Sequence, residues 1–356
     1  MKKYIYLVLL IVLSIIALVF VYNDDFLYSK RIMKITNIET TKVEEEQNTL
    51  GLEEKYYYRN ITGTITNGKD KGKEKTINYE ETYSSVVTDK YRVGDKVILD
   101  GNNIDGLKRD FYIASLVCIF IVLIYVVGSY KGLLSVASVI LNSVIFYLGL
   151  SLYFRGINLL FLCVIEMIIF SCLSLFIAGG INKKTVSAIL SVIVSTLIML
   201  ALLLIIIKTT DYRGINFNEL NFLTVPPEDI ILPELLIGSI GAIMDVGITI
   251  SSSISELIDK DKNISVNNLT KSSKEIGKDI MSTMSNVLFF TYLCAGLPIF
   301  VLAIRNGFTI YNYITTNFSL ELTRFLVGSI GIVMTIPITT FISIKIFKRG
   351  VRWIRF

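Results

Sequence analysis

Two carboxylates stand where a carboxylate is costly. Glu166 lies inside the apolar run 158–179, and Asp245 about midway along 230–257. Runs of that length match the roughly 30 Å hydrocarbon core of a bilayer at 1.5 Å per helical residue. An ionisable group at the centre of such a span costs about 2.5–3.5 kcal/mol even on the mild insertion scale. Two amides, Asn142 and Asn286, occupy comparable runs, and no Lys or Arg lies deep in any of them. The acids must therefore be satisfied by amides, water, a cation or a proton.

The residues around Asp245 repeat with a helical period. Gly238, Gly241, Asp245, Thr249, Ser252 and Glu256 recur every three or four residues and so share one face, while the rest of the run is mostly Ile, Met, Val and Leu. A narrow polar stripe of this kind has two readings. In the first, Gly238 and Gly241 allow close helix packing, and a protonated Asp245 hydrogen-bonds Asn142 or Asn286. In the second, the stripe lines a polar path in which Asp245, with Glu166, Asn142, Asn286, Thr249, Ser252 and Glu256, contacts an ion or solute. The second reading is taken for Asp245; both stay open for Glu166.

Other chemistries are excluded by composition. The chain has no histidine, which removes Ser-His-Asp and Cys-His catalysis, His-containing zinc sites and histidine proton relays. Cys118, Cys163, Cys172 and Cys294 all fall in apolar runs, so neither a disulfide nor a thiolate metal site is expected. No metal and no cofactor is expected. An intramembrane aspartyl hydrolase would pair two acids such as Asp245 and Glu166, yet the Gly-x-Gly-Asp and Tyr-Asp signatures of presenilin-like proteases are missing. The net charge of +5 is spread over the ends of the runs, which speaks against a nucleic-acid partner.

The elements that must position these side chains follow from hydropathy. The chain is 53% apolar and only 18% charged, with a mean hydropathy of +0.61. Spans are expected at 4–22, 111–128, 133–152, 158–179, 186–207, 230–257, 284–304 and 321–346, about eight in all. Lys and Arg on alternate sides then count 15 against 5: Lys2, Lys3, Lys131, Lys183, Lys184, Lys260, Lys262, Lys271, Lys274, Lys278, Lys345, Lys348, Arg349, Arg352 and Arg355 against Arg155, Lys208, Arg213, Arg305 and Arg324. The positive-inside rule places both termini in the cytoplasm and residues 24–110 outside a bacterial cytoplasmic membrane. The first run is too long for a signal-peptide core and lacks a small-residue cleavage site, so 1–23 is expected to be an uncleaved anchor.

The domains expected are the anchor 1–23, an extracytoplasmic β-rich domain 24–110, a seven-helix block 111–347 and a basic tail 348–356. Within 24–110, Tyr56–Ile65 reads as a strand, Asn67–Lys73 as a turn, Thr76–Val87 as one or two strands, and Val93–Leu99 as a turn feeding a last strand. A small barrel of OB or SH3-like type fits that count. The fold class is thus an all-α polytopic membrane protein with a small β-rich outer domain. The segment 258–283 reads as a cytoplasmic loop, either a solvated connector or an interfacial helix presenting Leu269, Ile276 and Ile280 to lipid. In the latter case Lys271, Lys274 and Lys278 reach for anionic headgroups. Arg349, Arg352 and Trp353 are further interface anchors. Pro226 and Pro227 are expected to fix the start of the sixth span, and Pro298 and Pro337 to kink theirs. The strings 236–249 and 326–339 are similar, as in an internal repeat whose interface holds substrate.

The string Gly238-Ser-Ile-Gly-Ala-Ile-Met-Asp-Val-Gly-Ile-Thr-Ile-Ser-Ser-Ser-Ile-Ser-Glu256, with Gly277-Lys-Asp279, Met284-Ser-Asn286 and Ala295-Gly-Leu-Pro298, resembles the bacterial YibE/F-like membrane proteins. The likeness covers roughly 105–347, and the outer domain shares Val93-Gly94-Asp95-Lys96-Val97. The family's pattern has a small residue at Gly247 and a Gly soon after the seventh-span Asn, a region that Cys294 interrupts here. The resemblance implies the anchor, outer domain and helical block, and it draws attention to Asp245; it implies no activity. From the residues, the expected function is a transporter or channel-like permease, with the lipid bilayer, a small ion or solute, and an envelope protein or a second copy as partners. The alternative is an envelope scaffold or sensor whose outer domain binds a partner.

Overall fold

The structure is a computed structural model that describes residues 2–47, 53–85, 88–211, 213, 226–316 and 318–349. Arg352 and Trp353 lie outside the described residues. The chain divides into two compact units, residues 1–133 and 134–356.

The first unit opens with α1 (Lys2–Tyr22), a 21-residue helix of almost wholly apolar sequence, followed by a 3-10 turn at Asp24–Leu27. Five strands follow: β1 (Arg31–Gln47), β2 (Glu53–Ile65), β3 (Glu74–Thr82), β4 (Lys96–Asp100) and β5 (Asn103–Leu107). They form one antiparallel sheet in the order β3-β2-β1-β4-β5. Its core is the inward set Met33, Ile35, Ile61, Ile77, Val97 and Leu99, closed by Tyr91. Of the segment Thr76–Val87 the described part, to Ser85, holds a single strand ending at Thr82, after which the chain turns at Tyr83 and Ser84; Val86 and Val87 lie outside the described residues. Two strands, β1 and β5, carry no clear alternation in sequence. Past Ile38, β1 is an outer strand that pairs only with the first half of β2, with β3 on the far side of β2 from Tyr56 on, and its side chains there are mostly exposed, so its Thr, Lys and Glu residues need no apolar phase. Where the ladder shifts between Ile35 and Asn37, Gly63 admits the neighbouring strand; a Cβ there would stand 2.5 Å from the Lys34 carbonyl oxygen.

The helix α2 (Asp110–Tyr153) starts three residues after β5 ends, and its first part runs antiparallel to α1: Phe111 packs edge-on to Tyr22, and Cys118 approaches the Ser14 carbonyl. The junction of α1, sheet and α2 is ionic. The Lys108 ammonium, buried, sits 2.5 Å from Asp24, 3.0 Å from Asp25 and 3.2 Å from Asp110, and donates to the Val21 carbonyl at the end of α1. Lys96 pairs with Asp25 at 2.8 Å and donates to the Tyr22 carbonyl. Two lysines thus meet the negative end of the α1 dipole and its orphan carbonyls. The Asn67 amide completes the joint, donating to the carbonyls of Asp25 and Lys30 while its oxygen accepts from the Ile32 amide.

Helix α2 is not one rod. Ser129 has φ 52°, ψ −136°, and a Cβ on Gly132 would lie 2.6 Å from the Ile124 carbonyl oxygen. Residues eight apart in a straight helix are separated by about 12 Å along the axis, so the chain bends back sharply at Ser129. The break falls within four residues of the expected boundary between 111–128 and 133–152.

The second unit continues with the end of α2 and α3 (Leu159–Gly179), α4 (Lys183–Thr210), α5 (Pro227–Lys260), α6 (Val266–Arg305), the short α7 (Ile310–Thr316) and α8 (Phe318–Arg349). Asn158, Asn182 and Ser265 cap α3, α4 and α6 by accepting from backbone amides three residues on, and α5 begins at Pro227. Contacts fix relative directions. Ile243 and Gly247 of α5 meet Gly331 and Thr335 of α8, a constant offset of 88, so these two helices run parallel. Ser187 meets Ser343 and Met199 meets Gly331, while Gly277 meets Ile336 and Leu288 meets Gly328, so α4 and α6 run antiparallel to α8. Seven described helices, counting α2 once, are long and apolar enough to cross a membrane.

One expectation is corrected here. Residues 258–283 are not a loop: α5 runs to Lys260, a turn of five residues follows, and α6 begins at Val266. At 40 residues α6 is about 60 Å long. Leu269 is fully buried, and Ile280 packs against the same core cluster, which includes Val246, Ile254 and Ile344, so this apolar face serves the bundle core instead of a lipid surface. Interleaved Lys and Glu lower the hydropathy of the segment enough to hide its periodic face.

The joint at Lys108 gives a first test. Burial alone would lower the Lys108 pKa, yet hydrogen bonds to Asp24, Asp25 and Asp110 raise it; burial would raise that of Asp25, yet Lys96 and Lys108 hold it low. Tyr28, half-buried and donating to Asp110 at 2.8 Å, is pushed up to about 12. A depressed carboxylate contributes above its unfolded pKa of about 3.9 and fails as pH falls through its folded value; a raised lysine contributes below about 10.4 and fails as pH rises through its own. The joint should hold in full between about pH 4 and pH 10. Lys108→Met, which strands Asp24 and leaves Asp25 to Lys96 and Asp110 to Tyr28, should cost about 3–5 kcal/mol. Hydrogen exchange on the full chain should show it as faster opening of β4 and β5, and unchanged protection would refute the joint's importance.

Candidate functional site

Helix α5 is the element that positions the stripe. One side of it is bound up in packing: Leu236, Ile243, Val246, Ile250 and Ile254 are buried to within 1% exposure. Gly247 is closed by Val192 of α4, at 2.9 Å from where a Cβ would stand, and the Ser251 hydroxyl donates to the Lys184 carbonyl of α4 at 2.8 Å. Met244 and Ile248 pack on the cluster to which α3 contributes Cys163 and Leu175. Tyr292 of α6 reaches across to the Gly238 carbonyl at 3.5 Å.

What these neighbours leave uncovered is the stripe. Gly238, Gly241, Asp245, Thr249 and Glu256 are exposed and Ser252 is half-buried. The Thr249 hydroxyl donates to the Asp245 carbonyl at 2.6 Å, and Ser253 donates to the Thr249 carbonyl, so each hydroxyl spends its proton on the helix and keeps lone pairs for an outside partner. The Asp245 carboxylate is therefore not sealed in dry contacts between helices. Nor does it meet Asn142, whose amide donates instead to Ser174 of α3 at 2.7 Å. Asn286 lies on an exposed face of α6.

The stripe is longer than its sequence suggested. Glu234 lies eleven residues before Asp245, and Glu256 eleven after. Eleven residues make about three turns, or about 16.5 Å, so three carboxylates share one line roughly 33 Å long. Glu234 is held at 2.5 Å by Arg324 of α8, which also donates to Glu321 one turn earlier on its own helix. Arg324 and Glu321 are largely buried, their side chains 15% and 11% exposed. Glu234 sits near the start of α5, where a charged residue reads as a helix end, and only the eleven-residue spacing signals its place in the line.

Glu166 belongs to a different contact. It is buried on α3 against Gly149 of α2, whose missing side chain makes room: a Cβ there would fall 1.6 Å from Oε1. That Oε1 has no hydrogen-bond partner among the described residues. With Ser138 and Asn142 bonded to Ser174, it forms a polar seam between α2 and α3. Glu166, Asn142 and the stripe are thus not brought together. Lys271, Lys274 and Lys278 are exposed on the first half of α6, with Lys278 paired to Glu275 at 2.8 Å, and Arg349 ends α8.

A second polar line escaped sequence reading. Ser187, Ser191 and Ser195 of α4 and Thr335, Thr339 and Ser343 of α8 are each wholly buried, with Ser187 and Ser343 hydroxyls 2.7 Å apart. Small hydroxyl residues every four positions let two helix backbones close on each other. The hydroxyls are weakly polar and scattered among Ile and Val, so hydropathy gives no warning of them. Among the described residues no cluster of His, Cys, Asp and Glu is arranged to hold a metal ion.

Comparison with protein families matches residues 116–349 to the model described as YibE/F-like protein and residues 26–114 to the YibE/F family N-terminal domain. No curated protein and no solved structure matches the chain.

The Glu166 seat makes a testable pair. Gly149→Ala should push the carboxylate aside and cost about 1–3 kcal/mol by overpacking, lowering the melting midpoint of the purified full chain. Glu166→Ala should vacate the space, so that the double variant melts above Gly149→Ala alone. Strictly additive effects would mean that the two residues do not touch.

Proposed function

The chain belongs to the YibE/F-like family, and we propose that it is a multi-pass protein of the bacterial cytoplasmic membrane acting as a transporter or channel-like permease, with the Asp245 carboxylate contacting the ion or solute. The single observation that carries this reading is the carboxylate line of α5, open at Asp245 and Glu256 and held by Arg324 at Glu234. Glu234, Asp245 and Glu256 are spaced so that a helix crossing a hydrocarbon core of about 30 Å presents one acid near each interface and one at the middle. A mid-span acid left open by its neighbouring helices is a functional position by default, because lipid alone would not repay it.

On this reading α1, the two parts of α2, α3, α4, α5, α6 and α8 make eight crossings. The antiparallel directions of α4 and α6 to α5 and α8 support alternating passage. Lysine-rich ends at 183–184 and 260–278 put those ends and both termini in the cytoplasm and the β-rich unit outside. There Lys271, Arg349, Arg352 and Trp353 anchor at the headgroups, whereas Lys274 and Lys278 stand deeper along α6, since Gly277 meets Ile336 of α8 about level with Gly247 of α5. The sheet order, with edge strands β3 and β5 meeting, supports a small barrel of OB type. No step of an enzyme is assigned to the chain.

The test is reconstitution of the full chain in liposomes loaded with a pH- or sodium-sensitive dye. Asp245→Asn should reduce proton or sodium flux at least tenfold, with Asp245→Glu keeping a measurable part. Asp245→Asn and Asp245→Leu both conducting like the parent would sink the assignment.

A further inference from the structure

A groove of about 840 Å³ runs between the first half of α6 and the second half of α8. Its α6 wall is a single helical face, Val266, Thr270, Lys274, Lys278 and Met281, and its α8 wall descends from Lys348 to Val333. The helices are antiparallel here, with Lys348 donating to the Ile264 carbonyl at one end and Ile336 filling the space above Gly277 in the middle. Along α8 the groove therefore has two ends of different chemistry. On the α8 wall Lys345 and Lys348 stand toward one end and Val333, Ile336 and Pro337 toward the other; on the α6 wall Lys274 and Lys278 lie between Val266 and Met281, with Lys278 beside the Gly277–Ile336 contact, and no carboxylate lines the groove. Lys345 lies 5.9 Å over the Phe341 ring, and Lys278 is half neutralised by Glu275. The volume is that of a ligand site, within the usual range of about 300–1,000 Å³.

We propose that this groove holds an anionic phospholipid, its phosphate among the lysines and its acyl chains along the apolar wall. Charge selects the occupant. A second copy docking by the same face would bring two lysine clusters together, and like charges in a partly desolvated groove repel. A free phosphate would satisfy the lysines and leave the apolar wall wet. Only an amphiphile with an anionic head meets both ends. The inference rests on the membrane reading above, under which the lysine end lies on the cytoplasmic side.

The full chain purified in detergent should be tested by native mass spectrometry with phosphatidylglycerol and phosphatidylcholine of matched chains. Phosphatidylglycerol should be retained at least fivefold better. Lys274→Gln with Lys345→Gln should erase that preference, and Val333→Trp, a change at an exposed position, should lower retention of phosphatidylglycerol by obstructing the apolar end. Equal retention of the two lipids by the parent chain, or an undiminished preference in the double lysine variant, overturns the site. So does displacement of phosphatidylglycerol by inorganic phosphate alone. Recovery of the chain in the soluble fraction without detergent would instead sink the membrane reading, so the two failures are distinguishable.

Discussion

A helix has a limited circumference, and α5 has to share its own among four neighbours. Helices α3, α4 and α8 claim the side bearing Ile243, Val246, Ile250 and Ile254, and α6 reaches over one end through Tyr292. Most large apolar side chains of α5 pack into the clusters these partners form, because the core is where their burial contributes most. Asp245, Thr249 and Glu256 are left on the strip that packing leaves open, while Ser239 and Ser251 are buried. The position of Asp245 is thus a consequence of packing: to bury the acid, α5 would have to turn its isoleucines outward.

The parallel pair α5 and α8 sharpens the point. The similar strings 236–249 and 326–339 lie side by side in nearly matching register, Ile243 against Gly331 and Gly247 against Thr335. In α8 the stripe of Gly328, Gly331, Thr335 and Thr339 is buried, and its hydroxyls serve close packing with α4. In α5 the equivalent stripe is open and carries Asp245 where α8 has Thr335. Two near-identical patterns therefore have different environments. A threonine can return its proton to the helix, as Thr335 does to the Gly331 carbonyl at 2.7 Å. A carboxylate has no such internal partner, and the open face is the one that can supply an external one.

Much of this was legible in the sequence, for physical reasons that also explain the gaps. Long apolar runs bounded by charge mark helices strongly, so α3, α4, α5 and α8 fall within a few residues of their expected bounds. The stripe on α5 was readable because helical period and polarity coincide there. The first half of α6 was not, because Lys271, Lys274, Glu275 and Lys278 mask the burial of Leu269. Strand β1 was hidden because its outer half needs no apolar side. The ion pairs of Lys108 with Asp24 and of Glu234 with Arg324 join residues 84 and 90 apart, a relation that local pattern does not encode. Glu166 and Asn142 lie instead in the seam between α2 and α3, where the Asn142 amide bonds Ser174 and Glu166 fills the space beside Gly149.

The central claim is that the uncovered face of α5 meets water, not acyl chains, and one measurement addresses it directly. In a chain whose four native cysteines are replaced, single cysteines are introduced at Gly241, Asp245 and Thr249 and, as controls, at Ile243, Val246 and Ile250. Intact membranes are then treated with a membrane-impermeant maleimide. The account expects the first three positions to react and the last three to stay protected. Protection of all six alike would mean that the stripe is closed off from water, and the permease reading would fall with it.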